Sequence, residues 1–237
     1  MASKDSAAPV KTHEEKPSIH VRLNDFLRKN RVVVISLFGA ALAAVVAAAV
    51  WTVVDERVAS RSAVALEKIE VSLGEWYAME SGPASTEKAN EILSGLQAVY
   101  SKYAKRYAGQ KAAVLAGRVH ARNGDWTSAE KLFRQAADLD KDSLLAGFAL
   151  QEAAVAAEER KDIPAAIELW KRVIDSASAS VGIPHAQFAL GTLYEETKQY
   201  GEAKAQYEKL IAAYPDNDWT KLARNRIILL KSRGLLP

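Results

Sequence analysis

The chain of 237 residues contains no cysteine. That excludes disulfides, thiol nucleophiles and zinc sites built on thiolates. Its four histidines, His13, His20, His120 and His185, stand at unrelated positions, and none forms an i, i+4 metal pair or a HExxH helix. There is no G-x-S-x-G elbow and no glycine-rich phosphate loop. "DLDKDS" sets Asp138, Asp140 and Asp142 at the alternating spacing that opens a calcium loop. Ser143, however, stands at the sixth place, where the turn needs glycine, and Ala149 at the twelfth, where a bidentate glutamate is needed. The acidic run therefore reads as a turn between helices, as does "YPDND" further on. No metal, cofactor or small-molecule substrate is expected, and no enzymatic activity.

A second shortage is net charge. Residues 1–31 hold seven basic and four acidic side chains, a surplus equal to the net charge of +3 of the whole chain, so residues 32–237 carry 25 of each sign. Nucleic-acid affinity rests largely on clustered cations that neutralise phosphates, and a neutral domain lacks them. Nucleic acid is not an expected partner.

The longest uncharged run is "VVVISLFGAALAAVVAAAVWTVV", Val32 to Val54, with Ser36 and Thr52 as its only hydroxyls. As a helix it matches the roughly 30 Å hydrocarbon core of a bilayer, and a transmembrane helix is expected. Ala47, Ala48 and Ala49 offer a signal-peptidase site, and cleavage after Ala49 is the competing reading. The run exceeds a signal h-region and follows a 31-residue tail, which favours an uncleaved signal anchor. Gly39 and Ala43 have small-xxx-small spacing within it, a pattern an alanine-rich span can scarcely avoid. Lys16, Arg22, Arg28, Lys29 and Arg31 precede the span, against Arg57, Arg61 and Lys68 after it. This bias places the N-terminus in the cytoplasm, so that in a bacterium the rest of the chain faces the periplasm from the inner membrane.

Around the span the organisation reads as follows. Residues 1–17, polar with Pro9 and Pro17, are expected to be disordered. Residues 18–31 form a basic amphipathic segment with Ile19, Leu23, Phe26 and Leu27 on one helical face, either lying on anionic headgroups or serving only as the basic flank of the anchor. Residues 55–109 are a connector and a degenerate first helix pair. Its first helix is Ala59–Met79, with Val64, Ile69, Val71, Leu73 and Trp76 as apolar points. Its second, Thr86–Tyr107, carries a stripe of Ile92, Leu93, Leu96 and Tyr100. Residues 218–237 supply a capping helix with Leu222, Ile227 and Leu230.

Between them, residues 110–217 repeat themselves. Setting residues 125, 162 and 199 in register, a period of 37, superposes Gly117, Ala154 and Gly191; Ala129, Ala166 and Ala203; and Phe133, Trp170 and Tyr207. Small over small and aromatic over aromatic describes a helix pair. The small residue of the first helix lets the second approach at its own small residue, and the aromatic fills the gap towards the next pair. Such units leave apolar faces uncovered and must stack, so the fold class is all-α: a transmembrane helix followed by a helical-hairpin solenoid.

These residues resemble the tetratricopeptide repeat family. The third copy matches its signature best, with Leu190, Gly191, Tyr194, Ala203, Tyr207 and Pro215, and Leu210 where alanine is usual. The first gives Gly117, Ala129, Phe133 and Ala136, with Lys141 in place of proline, and the second gives Ala154, Ala166 and Trp170. The copies exceed the family's usual length by three residues, which suggests longer turns between repeats. The resemblance implies binding of other proteins, by peptide or helix, in a groove lined by the first helix of each pair. Its groove positions fall on Lys111, Val114, Arg118 and Arg122; on Phe148, Gln151, Val155, Glu158 and Glu159; and on His185, Phe188, Thr192, Glu195 and Glu196. Phe148 and Phe188 either anchor a partner or pack on the neighbouring repeat, and His185 either lines the groove or is an exposed helix start. The clamp with which some members hold a chaperone's C-terminus is matched by Lys111 alone. In architecture the chain is similar to ancillary subunits of the SecYEG translocon, with a cytoplasmic tail, one anchor and periplasmic repeats; an anchored receptor with cytosolic repeats is the alternative.

Overall fold

The computed structural model describes residues 19–237, and every regular element among them is helical. The tail expected over 1–17, with His13 and Lys16, lies outside the described residues.

Residues 19–56 hold helix α1 (Ile19–Lys29) and the first part of α2 (Arg31–Tyr77). Ile19, Leu23, Phe26 and Leu27 are all exposed on α1. The Asn30 N–H donates to the Phe26 carbonyl at 2.9 Å, and the Asn30 carbonyl accepts from the Val34 N–H at 3.0 Å. Helical hydrogen bonding thus carries across Asn30 from the amphipathic segment into the apolar one. Among the described residues, α2 is the one helix long and apolar enough to cross a membrane, with a mean hydropathy of 2.6 in its most apolar window and none of that window buried.

Residues 57–237 form a stack of helix pairs. The end of α2 is followed by α3 (Pro83–Tyr103), α4 (Tyr107–Arg122), α5 (Trp126–Leu139), α6 (Leu144–Glu159), α7 (Ile163–Asp175), α8 (Ile183–Glu196), α9 (Tyr200–Ala213) and α10 (Asp218–Ser232). Each helix from α3 onward packs chiefly on its neighbours in sequence, as expected of a solenoid. One buried cluster joins α2, α3 and α4, and a second runs from α4 to the chain end.

The first pair differs in detail from its expected outline. On α2, Leu66, Leu73 and Trp76 face the core, whereas Val64 and Val71 are exposed. α3 begins at Pro83, a residue suited to the first helical position because its missing N–H would be unpaired there anyway. It ends at Tyr103, and Tyr107 already opens α4. The Trp76 indole N–H donates to the Ser85 carbonyl at 2.9 Å and pins the intervening turn. At the far end, Ala223 and Leu230 of α10 are buried while Leu222 is exposed.

The repeat is most regular where each pair turns. Gly124, Lys161 and Lys198, 37 residues apart, have φ of 77°, 61° and 60°. The N–H groups of Gly124 and Asp125 donate back to Ala121 and His120, those of Lys161 and Asp162 to Glu158 and Ala157, and those of Lys198 and Gln199 to Glu195 and Tyr194. This is the Schellman ending, which satisfies the last carbonyls of a helix at the expense of one left-handed residue. Glycine adopts that conformation freely, while a residue with Cβ is penalised by about 1 kcal/mol. Replacing Lys198 by glycine is therefore expected to stabilise the chain by up to about 1 kcal/mol, read as a higher midpoint in denaturant. A lower midpoint would mean that the lysine side chain contributes more than the strain costs.

The extra length of the repeats lies only in part in the turns between them. Helices α4 and α6 have 16 residues, against 14 in α8, and residues 140–143 and 214–217 are short connections. Only after the second pair is the connection long, containing a 3-10 turn, Ala177–Gly182.

In the core, a Cβ on Gly117 would lie 2.6 Å from Phe133 Cε1, and one on Gly191 would run into the Tyr207 ring. The aromatic therefore sits over the small residue of its own pair, whereas the sequence pattern suggested that the glycine served the approach at Ala129. Buried Gln110 joins three elements: its amide N–H groups donate to the carbonyls of Ala136 and Asp140 at 3.0 and 3.2 Å, and its oxygen accepts from the Ser143 hydroxyl at 2.9 Å. The second helices of adjacent pairs are tied by Arg134 to Glu168 at 3.3 Å and Arg172 to Asp138 at 3.0 Å. Exposed pairs of this kind contribute about 0.2–1 kcal/mol each. Glu130, nearly buried and bonded to both Arg134 and Arg160, is the better-shielded member of that ladder.

Candidate functional site: a cleft between the second and third repeats

Helix α6 opens on Ser143, whose hydroxyl oxygen caps the helix by accepting from the Ala146 N–H at 3.1 Å. From that start Leu144, Phe148 and Gln151 recur at i, i+4 and i+7 on one face. The 3-10 turn then lays Ser178, Val181 and Gly182 alongside, and Gly182 leaves the space that the Gln151 amide fills. α8 contributes His185 and α10 contributes Trp219. Together these eight residues line a cleft of about 480 Å³.

The back of the cleft is aromatic. The His185 ring stacks on Trp219 at 4.4 Å and meets Trp170 edge-on at 5.0 Å. Burial holds its pKa below the usual histidine value, so at neutral pH the ring is uncharged. The mouth is aliphatic: Leu144 is 81% exposed and Val181 96%. Large apolar groups so exposed beside a concave surface mark contact sites on repeat proteins.

Of the residues singled out from the sequence, Phe148, Gln151 and His185 meet in this cleft. Arg118 lies over the Phe148 ring at 4.6 Å and pairs with Glu152 at 3.0 Å. Phe188 has the other role open to it: it packs on Tyr207 and Trp219 at 5.7 and 5.3 Å, against the core. Val114 is buried, and Val155 is exposed between the cleft and the end of α6. The Thr192 hydroxyl donates to the Ala189 carbonyl of its own helix at 2.7 Å. Lys111 lies in a separate cleft of about 690 Å³ between α2 and α4, paired with Glu70. Arg122 rests over Trp76 and Tyr77, at 4.4 and 5.0 Å. His120 pairs with Asp125 at 3.0 Å, and Asp140 turns the chain by accepting from the Asp142 N–H at 3.3 Å.

Two of the acidic groove residues serve the fold. Glu195 accepts from the Tyr207 hydroxyl at 2.6 Å and from Arg226 Nε at 2.9 Å, and its side chain is nearly buried. Glu158 accepts from the Trp170 indole N–H. The same twelve-residue offset in the first pair joins Ala121 to Phe133. A buried ring with a polar hydrogen needs an acceptor and a phenylalanine does not, which accounts for Glu, Glu and Ala at the three equivalent places.

Burial first, then the nearby carboxylates of Glu196 and Glu159, push the Glu158 pKa above its ordinary value, with the Trp170 hydrogen bond opposing them. A raised carboxylate pKa means that the ionised form is penalised in the folded chain, a cost present at neutral pH and lost as pH falls through the raised value. Glu158→Gln keeps an acceptor for Trp170 and removes the charge. The variant is expected to unfold at a higher denaturant midpoint than the parent at pH 7, with the two curves converging below about pH 4; equal midpoints at pH 7 would contradict this.

Leu144, Val181 and Trp219 were not foreseen. Leu144 directly follows a helix-capping serine, and Trp219 follows the corresponding cap Asn217, so both caps point to side chains placed at a repeat junction. Val181 stands in "SASASVG" and has no sequence signal of its own.

The model of the tetratricopeptide repeat matches residues 185–217, the third pair. A repeat-containing protein of Treponema pallidum (strain Nichols) is 29% identical over 110 residues, which is 46% of each chain, so the chain matches about half the length of this curated relative. Among solved structures, the kinesin light chain tetratricopeptide-like repeats of Podosopora anserina have a TM-score of 0.52 at 14% identity, covering 71% of this chain and 86% of that one. A tetratricopeptide repeat protein of Parabacteroides merdae has a TM-score of 0.52 at 16% identity, covering 71% and 61%. At such identities these neighbours show the fold. Tetratricopeptide arrays are typically non-catalytic scaffolds for protein–protein interaction. With its Schellman turns, glycine-seated aromatics and stacked pairs, the chain has the fold of a tetratricopeptide repeat array, and its third pair matches the repeat's own model.

Proposed function

We propose that this chain is a single-pass, membrane-anchored scaffold of the bacterial cell envelope, whose repeats hold a short peptide or helix of a partner in the cleft between the second and third pairs. The observation that carries the docking reading is the pairing of an aromatic floor with the unusually exposed Leu144 and Val181 at its mouth. Docking of an apolar side chain there covers both and displaces water from a largely preformed surface. Anchoring is supported by the uncharged run Val32 to Val54 within α2. The basic residues before the run favour a cytoplasmic N-terminus, with the repeats on the periplasmic side of the inner membrane. A role ancillary to protein translocation or envelope assembly suits that arrangement.

Protease accessibility in right-side-out and inverted membrane vesicles tests the topology, and a photo-crosslinker at Val181 tests the cleft. Cleavage of the repeats in right-side-out vesicles only, with adducts from Val181 that a crosslinker at exposed Lys209 does not form, is the expected result. Cleavage in inverted vesicles only overturns the periplasmic placement and leaves a cytosolic receptor. Release of the chain by carbonate extraction overturns the anchor.

A further inference from the structure

The C-terminal ends of α6 and α8 carry charge of the sign a helix end disfavours. A helix C-terminus bears partial negative charge, and cations in the last turn stabilise it. Neither α6 nor α8 has a basic residue in its last turn. They end instead on Glu158–Glu159 and Glu195–Glu196. The first pair shows the ordinary arrangement: at the place equivalent to Glu159 and Glu196 stands Arg122, seated on two aromatic rings. Glu195 is neutralised by Arg226. Glu159 and Glu196 are exposed, and among the described residues neither has an ion-pair partner. Arg160, the residue that closes α6, is taken up by Glu130 and Asp162, which leaves Lys161 in the turn after α6 and Lys198 after α8, both exposed, as the remaining local cations. Repeats two and three thus keep a carboxylate cluster whose cost to helix stability the chain itself offsets only in part.

This cluster and the apolar cleft lie on the same two helices. Phe148 and Glu158 are both on α6, ten residues apart, about 15 Å along the axis. Val155 continues the apolar surface between them. Resting on the docking reading above, we propose that the segment bound here is amphipathic and cationic: an aromatic or branched aliphatic side chain enters between Phe148 and Trp219, and a lysine or arginine of the same segment reaches Glu158, Glu159 and Glu196. An extended segment spans that separation in four to five residues at about 3.3 Å each, and a helical one in about ten. The partner's charge completes what the helix ends lack.

Selection of a randomised dodecapeptide library on phage against the full chain in detergent micelles tests this. The peptides retained are expected to combine an aromatic or branched aliphatic residue with lysine or arginine at one of those spacings. Two variants divide the claim, Val181→Asp at the mouth and Glu159→Lys/Glu196→Lys at the helix ends, all at exposed positions. Circular dichroism checks that each stays folded. Both are expected to weaken the selected peptide about tenfold, and the second loss disappears when the peptide's cations are replaced by glutamine. Retained peptides that are neutral or acidic, lost with Val181→Asp and indifferent to the double variant, overturn the charge inference while the docking reading stands. Failure to retain any peptide, or retention indifferent to Val181→Asp, overturns both.

Discussion

Trp170→Ala is expected to destabilise the chain by about 3–5 kcal/mol, a large share of the roughly 5–15 kcal/mol that holds a typical domain folded. Trp170 is 1% exposed and belongs to the core cluster that runs through α4 to α10. Truncation leaves a cavity the size of an indole in the seat of the second pair and removes the edge contact to His185. It also strips Glu158 of its indole donor in a half-buried position. Trp170→Phe fills most of the volume and loses only the hydrogen bond, so its cost should be nearer 1–2 kcal/mol. In a solenoid each pair leans on its neighbours, so the damage should be regional. Amide exchange is expected to quicken across α6 to α9, while α3, which belongs to the other cluster, keeps its protection. The same variant removes the ring that backs His185 at the rear of the cleft. A loss below 1 kcal/mol, or uniform loss of protection along the chain, would contradict this packing.

A pair of glycine substitutions should separate with opposite signs. Helix propensity alone favours alanine over glycine by about 1 kcal/mol inside a helix. At Gly201, in the first turn of α9, an added Cβ meets nothing within 4 Å, and Gly201→Ala is expected to stabilise by about 0.5–1 kcal/mol. At Gly109, in the first turn of α4, the Cβ would lie 2.6 Å from the Tyr103 carbonyl carbon and 2.8 Å from the Ala104 Cα. These are backbone atoms at the end of α3 and the start of the connection after it, and they cannot rotate aside. Gly109→Ala is therefore expected to destabilise by about 1–3 kcal/mol and to loosen the junction between α3 and α4, where the Gly109 N–H donates to the Arg106 carbonyl at 3.0 Å. Equilibrium unfolding of both variants decides the matter: two stabilising alanines would mean that the tight approach at residue 109 is not real.

The stacked pairs were legible in the sequence because the residues that define them act within one repeat. Gly117 under Phe133 and Gly191 under Tyr207 are contacts between positions sixteen apart, and the 37-residue period displays them directly. The candidate site was legible in part. Phe148, Gln151 and His185 sit at regular places on first helices and were found there. Trp219 belongs to the capping helix and Val181 to the one long connection, so the period says nothing of either. Glu195 shows the opposite failure. Its place on the helix is a groove place, but Arg226 arrives from α10 and closes over it, a contact between elements that no spacing within a repeat reveals. Phe188 was diverted to the core for the same reason, by Trp219.

The connection Ala177–Gly182 forms one wall of the cleft, yet the helix pairs on either side hold together through Leu190, Leu193 and Tyr207, which do not line it. Chain added to a flexible connection costs little, about 0.6 kcal/mol for each doubling of its length. The wall is thus a replaceable part mounted on a fixed frame. An engineer can therefore rewrite residues 177–181, keeping Gly182 where the Gln151 amide needs its space, and change the wall with the repeats left as they are.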